Sequence, residues 1–371
     1  MPIYMDRHFV PGVDAKSVAI AHRQDLLVQE EYGCRCMTVW VDEDGDSAFC
    51  LIDAPNEEAV QKMHDRAHGL VPHEIIPVNS NVVEAFLGRI EDPQGYYDSD
   101  DPGLKIINDP AFRIILVARA KDSGLLKNEM GERKAEKLLA LYHEIIREQV
   151  AKNQGREVEL KGERFIASFV SVTQAVACTA GIQKGLHVAG ELMDLRMGLN
   201  AGMPVTNDKS IFGEVIRMAE YLCKTGAPNQ TVMASIIREI YKDDGKNSLS
   251  EKAVFKSISP ADENVLQLLL DVLRDNYTNP QFGIREYCEK TGMSKSKLYR
   301  QSTALLGRSP NELLREHRLT IALRLLRTDR NIAQTAFDCG FGSPSYFTKC
   351  FQDRYGLQPL AYQKIAWLSS L

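Results

Sequence analysis

The run from Ile332 to Pro359, IAQTAFDCGFGSPSYFTKCFQDRYGLQP, constrains this chain more than any other stretch, because it dictates two short helices and the turn between them. Ala333, Ala336 and Phe337 recur at the helical period and form an apolar stripe. Cys339-Gly340-Phe341 breaks that helix, with Gly340 supplying the permissive backbone of the turn. Ser343 is placed to cap a second helix, and Pro344 suits its first position, where a missing N–H is harmless. Phe347, Cys350 and Phe351 then fall inward, and Ser345, Thr348, Lys349 and Gln352 outward. Short polar and basic side chains on a free helix face are the groups that reach base edges and phosphates. An ordinary helical hairpin accounts for the apolar spacing but not for the agreement of cap, turn and polar face.

These features together resemble the second helix-turn-helix of the AraC family of bacterial transcription regulators. That family carries an alanine pair, a Gly-Phe turn, a Ser-Tyr-Phe helix and a closing Gly-x-x-Pro. Here those are Ala333 and Ala336, Gly340-Phe341, Ser345-Tyr346-Phe347, and Gly356 with Pro359. Gln363 departs from the pattern, since the family usually has an Arg after the tyrosine that is Tyr362 here; the departure bears on a phosphate contact, not on the fold. The resemblance implies a second such unit upstream, joined by a long helix. Ile284, Tyr287 and Cys288 form an apolar stripe, Thr291-Gly292-Met293 a turn, and Ser294 a cap. The next helix sets Lys295, Ser296, Lys297, Arg300 and Gln301 outward, with Leu298 and Tyr299 inward, and Pro310 to Leu326 reads as the connecting helix. Arg315, Arg318, Arg324 and Arg327 read as solvated charges or phosphate contacts.

Candidate contacts to double-stranded DNA are therefore Ser294, Ser296, Lys297, Arg300 and Gln301 in the first unit and Ser343, Ser345, Thr348, Lys349 and Gln352 in the second. Gln281 to Lys364 holds 14 Lys+Arg and 7 Asp+Glu, a net +7 on a chain whose total is −5. A basic block on an acidic protein is the electrostatic footprint of nucleic-acid binding. Two such helices in successive major grooves would read base clusters about one helical turn apart.

With 371 residues, the chain is expected to hold about two to four domains. No basic segment followed by an apolar run opens it, so no signal peptide is expected. No stretch approaches the roughly 18 uninterrupted apolar residues of a membrane span. The eight cysteines are scattered, as reduced cytosolic thiols are, which points to a cytoplasmic protein. Glu91 to Gly103 is acidic and turn-rich, and Lys242 to Pro260 is polar; each reads as a linker. The expected class is thus multidomain α+β, divided into residues 1–91, 104–241 and 261–371.

In the first segment, Ile3 to Phe9 reads as a strand, Asp14 to Tyr32 as a helix, Cys36 to Val41 and Ala48 to Ile52 as strands joined by an Asp-Gly turn, Glu57 to His68 as a helix, and Ile75 to Val83 as a last strand. The order βαββαβ is the ferredoxin-like plan. Five of the eight histidines lie here: His8, His22, His64, His68 and His73. His64 and His68 are four apart and share a helix face, a spacing that lets two imidazoles bind one transition metal. Cys50 could add a thiolate. The segment is similar to a small nickel-binding ferredoxin-like family, through Met5-Asp6-Arg7-His8 with Pro11-Gly12, Ala21-His22-Arg23, Phe49-Cys50-Leu51, Ala54-Pro55-Asn56, and His64 with Ala67-His68-Gly69-Leu70. The resemblance implies nickel or another divalent transition metal, with His8, His22, His64, His68 and Cys50 as candidate ligands. The alternatives are that these residues knit a dimer interface or bind a small ligand.

In the middle segment, Phe112 to Ala118 reads as a strand, Lys134 to Lys152 as a helix, Val158 to Phe169 as a hairpin turning at Lys161-Gly162, Gln174 to Leu186 as a helix, Leu195 to Ala201 as a strand and Gly213 to Lys224 as a helix. This α/β pattern resembles the class III nucleotide cyclases, best at Leu160 to Phe169, Ala175 to Gln183, Arg196 to Gly202 and Phe212 to Leu222. In that family two Asp carboxylates hold two divalent metals against the triphosphate. By spacing to Gly131 and Gly162, those positions are Arg119 and Glu163 here, the Gly after the second is Arg164, and the Asn and Arg of the family fall on Arg217 and Tyr221. An Arg repels the metal it would have to bind, so no catalysis is expected. Arg119, Arg164 and Arg217, if convergent, would form an anion pocket; scattered surface charges are the plainer reading.

The sequence thus points to a DNA-binding regulator, expected to be a homodimer, with N-terminal units that take a metal or small-molecule effector. Its rivals are a nucleotide cyclase and a metal-binding protein with secondary DNA binding.

Overall fold

The computed structural model describes residues 1–188, 194–206, 208–243 and 255–367. It opens with strand β1 (Ile3–Phe9), helix α1 (Ala15–Val28), strands β2 (Arg35–Asp42) and β3 (Ser47–Asp53), helix α2 (Glu57–Ala67) and strand β4 (Glu74–Val78). The four strands form an antiparallel sheet in the order β2-β3-β1-β4. Asp14 starts α1 by accepting from the Ser17 amide, and Asn56 starts α2 by accepting from the Ala59 amide. Both faces of the sheet are covered. Val39, Cys50 and Ile52 pack with Val18 of α1 and Val60 of α2. Met5, Trp40 and Phe49, which alternate with them, pack the other way, against Ile115, Val117 and Phe212.

Two local readings change. The last strand stops at Val78, because Asn79 accepts from the Asn81 amide and opens helix α3 (Ser80–Leu87); a cap outcompetes the strand preference of Val82 and Val83. The β2–β3 connection is a short 3-10 turn, Glu43–Gly45, and Asp46 rather than Gly45 takes the left-handed backbone at φ 48°.

The acidic stretch after Arg89 is no free linker. Its carboxylates pin it along α1, with Lys16–Asp98 at 3.0 Å, His22–Asp92 at 3.3 Å and Arg23–Asp101 at 2.6 Å. The chain then forms β5 (Arg113–Arg119), α4 (Ser123–Met130), α5 (Glu132–Lys152), β6 (Arg156–Lys161), β7 (Arg164–Phe169), α6 (Val172–Val188), β8 (Arg196–Gly202), α7 (Gly213–Cys223), β9 (Gln230–Met233), α8 (Ser235–Asp243) and β10 (Phe255–Ser257). The six strands are ordered β10-β9-β8-β5-β7-β6, parallel only where β9 meets β8 and β10. Gly162, at φ 59°, makes the tight β6–β7 turn. The second linker expected from sequence falls largely on residues 244–254, outside the described residues.

The remainder is helical: α9 (Pro260–Asn276), α10 (Ile284–Thr291), α11 (Lys295–Leu306), α12 (Pro310–Leu325), α13 (Ile332–Asp338), α14 (Pro344–Tyr355) and α15 (Pro359–Trp367). It has two cores. Leu266, Leu270, Tyr287 and Leu298 continue the core under the six-stranded sheet. Leu319, Ala322, Phe347, Phe351 and Tyr362 form a second core, which Leu125 of α4 enters. No described helix is long and apolar enough to cross a membrane.

Candidate nucleic-acid interface and metal centre

Helices α11, α13 and α14 are each started by a polar cap. Ser294 Oγ accepts from the Lys297 amide at the head of α11, and Ser343 Oγ from the Tyr346 amide at the head of α14. Asn331 caps α13 through the Ala333 amide, at 2.7 Å. Gly292 and Gly340 take left-handed backbone, and a Cβ on Gly340 would lie 2.0 Å from the Tyr277 carbonyl, so only glycine fits that turn. Leu298, Phe347, Cys350 and Phe351 are buried. Ser294, Ser296, Lys297, Arg300, Ser343, Ser345, Lys349 and Gln352 are exposed, and Gln301 and Thr348 half-buried. Two inward assignments differ. Phe337 is 51% exposed, and Thr335, Ala336 and Cys339 fill the interior instead. Tyr299 is half-buried. Gln363, where the family pattern has Arg, is buried and donates to the carbonyls of Thr328 (3.1 Å) and Arg330 (2.7 Å). Its role is to tie the end of α12 to α15.

In the N-terminal unit the structure joins four of the five candidate ligands and adds two carboxylates. Asp6, His8, Cys50 and His64 form one group, and Asp25, His64 and His68 a second that shares His64. Within each group the ligating atoms lie within 4.8 Å of one another. Asp6 sits two residues before His8 on one face of β1, and Asp25 lies on α1; neither was named as a ligand from the sequence. His22 belongs to neither group. Its ring is held by Asp92, although it lines the same cavity of about 60 Å³ as His8, Asp25, Cys50 and His68.

His64 is fully buried and clamped at both nitrogens: Nε2 to Asp6 Oδ2 at 2.9 Å and Nδ1 to Asp25 Oδ1 at 3.0 Å. Burial opposes its charge, but Asp6 and then Asp25 outweigh burial and raise the imidazole to about 10. Burial pushes the Asp6 carboxyl up, and His8 and His64 bring it well below the ordinary range; Asp25 is lowered by His64 and His68 against the same penalty. The Leu70 amide donates to His68 Nδ1, which leaves the proton on Nε2, 3.3 Å from Asp25. Two buried carboxylates around one imidazolium leave a net negative site. Burial and the charges of Asp6 and Asp25 hold the Cys50 thiol well above its usual range. Imidazole, carboxylate and thiol donors suit a borderline divalent transition metal. Charge, donor set and adjoining cavity all fit such an ion.

The middle unit shows how its polar positions are used. Glu163 accepts from the Ser123 amide at 2.6 Å and pairs with Arg327. Arg164 is bound to Glu159 and Glu220, and Arg217 to Asp208. The three arginines weighed as an anion pocket therefore do not act as one, since two are neutralised.

Residues 287–365 match the family model described as a helix-turn-helix domain. The HTH-type transcriptional activator RhaR of Pectobacterium atrosepticum is 33% identical over 105 residues, covering 28% of this chain and 37% of RhaR. The C-terminal region is an AraC-type helix-turn-helix domain. RhaS of Mannheimia succiniciproducens, also described as an HTH-type transcriptional activator, is 27% identical over 129 residues, covering 34% of this chain and 43% of RhaS. The chain spans less than half the length of the curated relatives it matches. Residues 4–78 match the model described as nickel responsive protein SCO4226-like. Among solved structures, the DNA-binding domain of AdpA in complex with a target DNA is 28% identical, covering 26% of this chain and 86% of that one, with a TM-score of 0.25. SCO4226 from Streptomyces coelicolor A3(2) is 32% identical, covering 20% of this chain and 94% of that one, with a TM-score of 0.20.

Proposed function

We propose that the chain is a DNA-binding transcription regulator of the AraC type, whose α11 and α14 enter successive major grooves as part of a homodimer on its operator. The observation that carries this is the pair of capped helices that present Lys297, Arg300, Lys349 and Gln352 to solvent, bound to nothing among the described residues. The reading divides the chain into a ferredoxin-like unit (1–91), a cyclase-like unit (104–241) and the DNA-binding unit (261–371). Cyclase activity is not part of it, because Arg119 stands where a carboxylate is needed and Glu163 is engaged by Arg327. An assay with manganese and ATP that yielded cyclic nucleotide would reverse that statement.

The metal half of the reading is that one of the two groups sharing His64, either Asp6, His8, Cys50 and His64 or Asp25, His64 and His68, holds a divalent ion, nickel being named by the matching family's description. Such an ion takes the place of the proton on His64, so uptake releases protons and weakens in acid. It acts on DNA affinity only by favouring one inter-domain arrangement over another. Equilibrium dialysis against nickel, zinc and copper, followed by promoter-fragment titration, tests both halves. Stoichiometric metal that is lost in the His64→Gln, His68→Gln variant and shifts DNA affinity supports the reading. No bound metal, with DNA binding intact, removes the metal half alone. DNA affinity unchanged by Lys349→Ala and Arg300→Ala removes the other.

A further inference from the structure

The two candidate reading helices are seated in different cores. Leu298 of α11 is buried with Leu266 and Leu270 of α9 and Leu313 of α12, in the core under the six-stranded sheet. Phe347 and Phe351 of α14 are buried with Leu319 and Leu323 of α12 and Tyr362 of α15. Helix α12 is thus shared, its N-terminal half in one core and its C-terminal half in the other. One helix between two cores is a single strut. By itself it leaves the parts at its two ends free to rock against each other, and a second point of support is needed to fix their angle.

The middle unit supplies that support, because it holds both parts. It shares a continuous apolar core with the first part, reinforced where Tyr221 donates to Asp271 at 2.6 Å and Ser235 to Glu263 at 3.0 Å. Its hold on the second is mostly polar. Among the described residues, Leu125 is the one buried side chain it contributes to that core. Arg327, just past α12, donates through a single nitrogen, Nη2, to Asp122 Oδ2 at 2.6 Å and to Glu163 Oε1. The buried Tyr362 hydroxyl donates to the same Asp122 oxygen at 2.9 Å. A Cβ on Gly124 would lie 2.7 Å from the Tyr362 ring, so α4 meets α15 with no room for a larger residue. Both carboxylates are oriented by their own unit, Asp122 by the Leu125 amide and Glu163 by the Ser123 amide.

We propose that Asp122, Glu163 and Arg327 are positioning residues for DNA recognition: by closing the second support, they set the separation and twist at which α11 and α14 face the duplex. The inference rests on the reading that those two helices enter DNA. Along a duplex, one base pair moves the next base cluster by about 3.4 Å and turns it by about a tenth of a turn, so a braced pair of helices tolerates one spacing and an unbraced pair tolerates several. Asp122 and Glu163 belong to the middle unit and repel phosphate. Neutralising them would, through the electrostatic field alone, strengthen DNA binding at every spacing. As parts of a brace, they act in the opposite sense on the preferred spacing.

The test uses the full chain. A randomised duplex library enriched on the wild type gives its preferred site, and single base pairs inserted or deleted between the two base clusters give shifted sites. The wild type should lose about tenfold or more on the shifted sites, because α14 is then out of register with its bases. The Asp122→Asn, Glu163→Gln variant should bind the preferred site more weakly and the shifted sites within about threefold of it. Asn and Gln keep an oxygen for the Leu125 and Ser123 amides, so α4 still starts in place. Arg327→Met, which breaks the same contact from the other side, should give the same pattern and keeps the test open if the double variant does not fold. A wild-type spacing preference in both variants overturns the proposal. So does stronger binding of the double variant at every spacing, which is the field effect alone. Weakening by Arg327→Met at every spacing, without change in the double variant, makes Arg327 a phosphate contact and also overturns it. An enriched site with a single cluster leaves no spacing to set, with the same result. If no site is enriched, or Lys349→Ala and Arg300→Ala leave affinity unchanged, the DNA-binding reading itself has failed and this inference falls with it.

Discussion

Replacing Arg327 with Met should loosen the DNA-binding unit from its neighbour without unfolding either. Arg327, at the end of α12, reaches across to Asp122 at 2.6 Å and to Glu163, and its Nε lies 3.4 Å from the Tyr362 hydroxyl, which itself donates to Asp122 at 2.9 Å. The carboxylates are 12% and 15% exposed and the guanidinium 29%, so solvent screens the contact only in part. A hydrogen bond to a charged group contributes about 1.5–3 kcal/mol, and removing one partner of a buried pair strands the other. With partial exposure, losing both bonds and leaving two carboxylates together costs about 3 kcal/mol. Met keeps the aliphatic stem, so packing changes little. The assay is amide hydrogen exchange. Opening of α15 against α4 should become roughly 100-fold more frequent, since each 1.4 kcal/mol is tenfold, while α1 and α2 exchange as before. The pH dependence has a definite sign. Burial raises the Glu163 carboxyl, but Arg327 more than reverses this and leaves it below 4.5. The contact's contribution is therefore present above pH 4.5 and fades as pH falls through the lower native value. Exchange at α15 within threefold of wild type at pH 7 would refute the argument.

Lys349→Ala and Arg300→Ala should each weaken operator binding, and a residue that touches only phosphate should reduce the salt slope by about one; titration at three salt concentrations separates phosphate from base contacts. Asp42→Asn should stabilise the protein at neutral pH. Burial raises this carboxyl to about 6 although the Phe112 amide and Arg113 favour its charge. The native state therefore binds its proton more tightly than the unfolded chain, an advantage complete below pH 3.8 and lost as pH rises through 6. The Asn oxygen can still accept from Phe112, so the gain reaches up to about 3 kcal/mol at pH 7 and vanishes below pH 4; urea midpoints at both pH values decide. Gln363→Ala should cost about 1–2 kcal/mol by stranding the Thr328 and Arg330 carbonyls, and a denaturation curve identical to wild type would contradict it.

The C-terminal turns were readable because caps and glycines act over three or four residues, and Ser294, Ser343 and Gly340 do locally what their types require. Facing was less so. Periodicity located the stripe of α13, but which residues point inward depends on the neighbours α12 and α14, so Phe337 turned out exposed and Thr335 buried. His64 and His68 announced themselves by spacing. Asp25 did not, because it meets His64 across 39 residues of chain, although its place three after His22 on one helix was a usable signal. The arginines of the middle unit show the converse. Glu220 meets Arg164 across 56 residues of chain, and although Glu159 and Asp208 lie only 5 and 9 residues from their arginines, neither stands at a regular helix or strand spacing that would announce the pairing. The acidic stretch from 91 to 103 looked like a linker because its charge is legible and its three anchors on α1, Lys16, His22 and Arg23, are far from it in sequence.

Strand β5 is a party wall between two households. Ile115 and Val117 look toward Met5, Trp40 and Phe49 of the N-terminal unit, whereas Ile114, Leu116 and Ala118 share a core with Leu266, Tyr287 and Leu298 of the DNA-binding unit. Odd and even positions of one short strand therefore report to opposite ends of the protein. A methylene trimmed at 115 or 117 should be felt on the face of the first sheet turned away from the histidine cluster, and one trimmed at 114 or 116 beneath the helices proposed to read DNA. The parity of a residue number, more than its distance along the chain, decides which end notices.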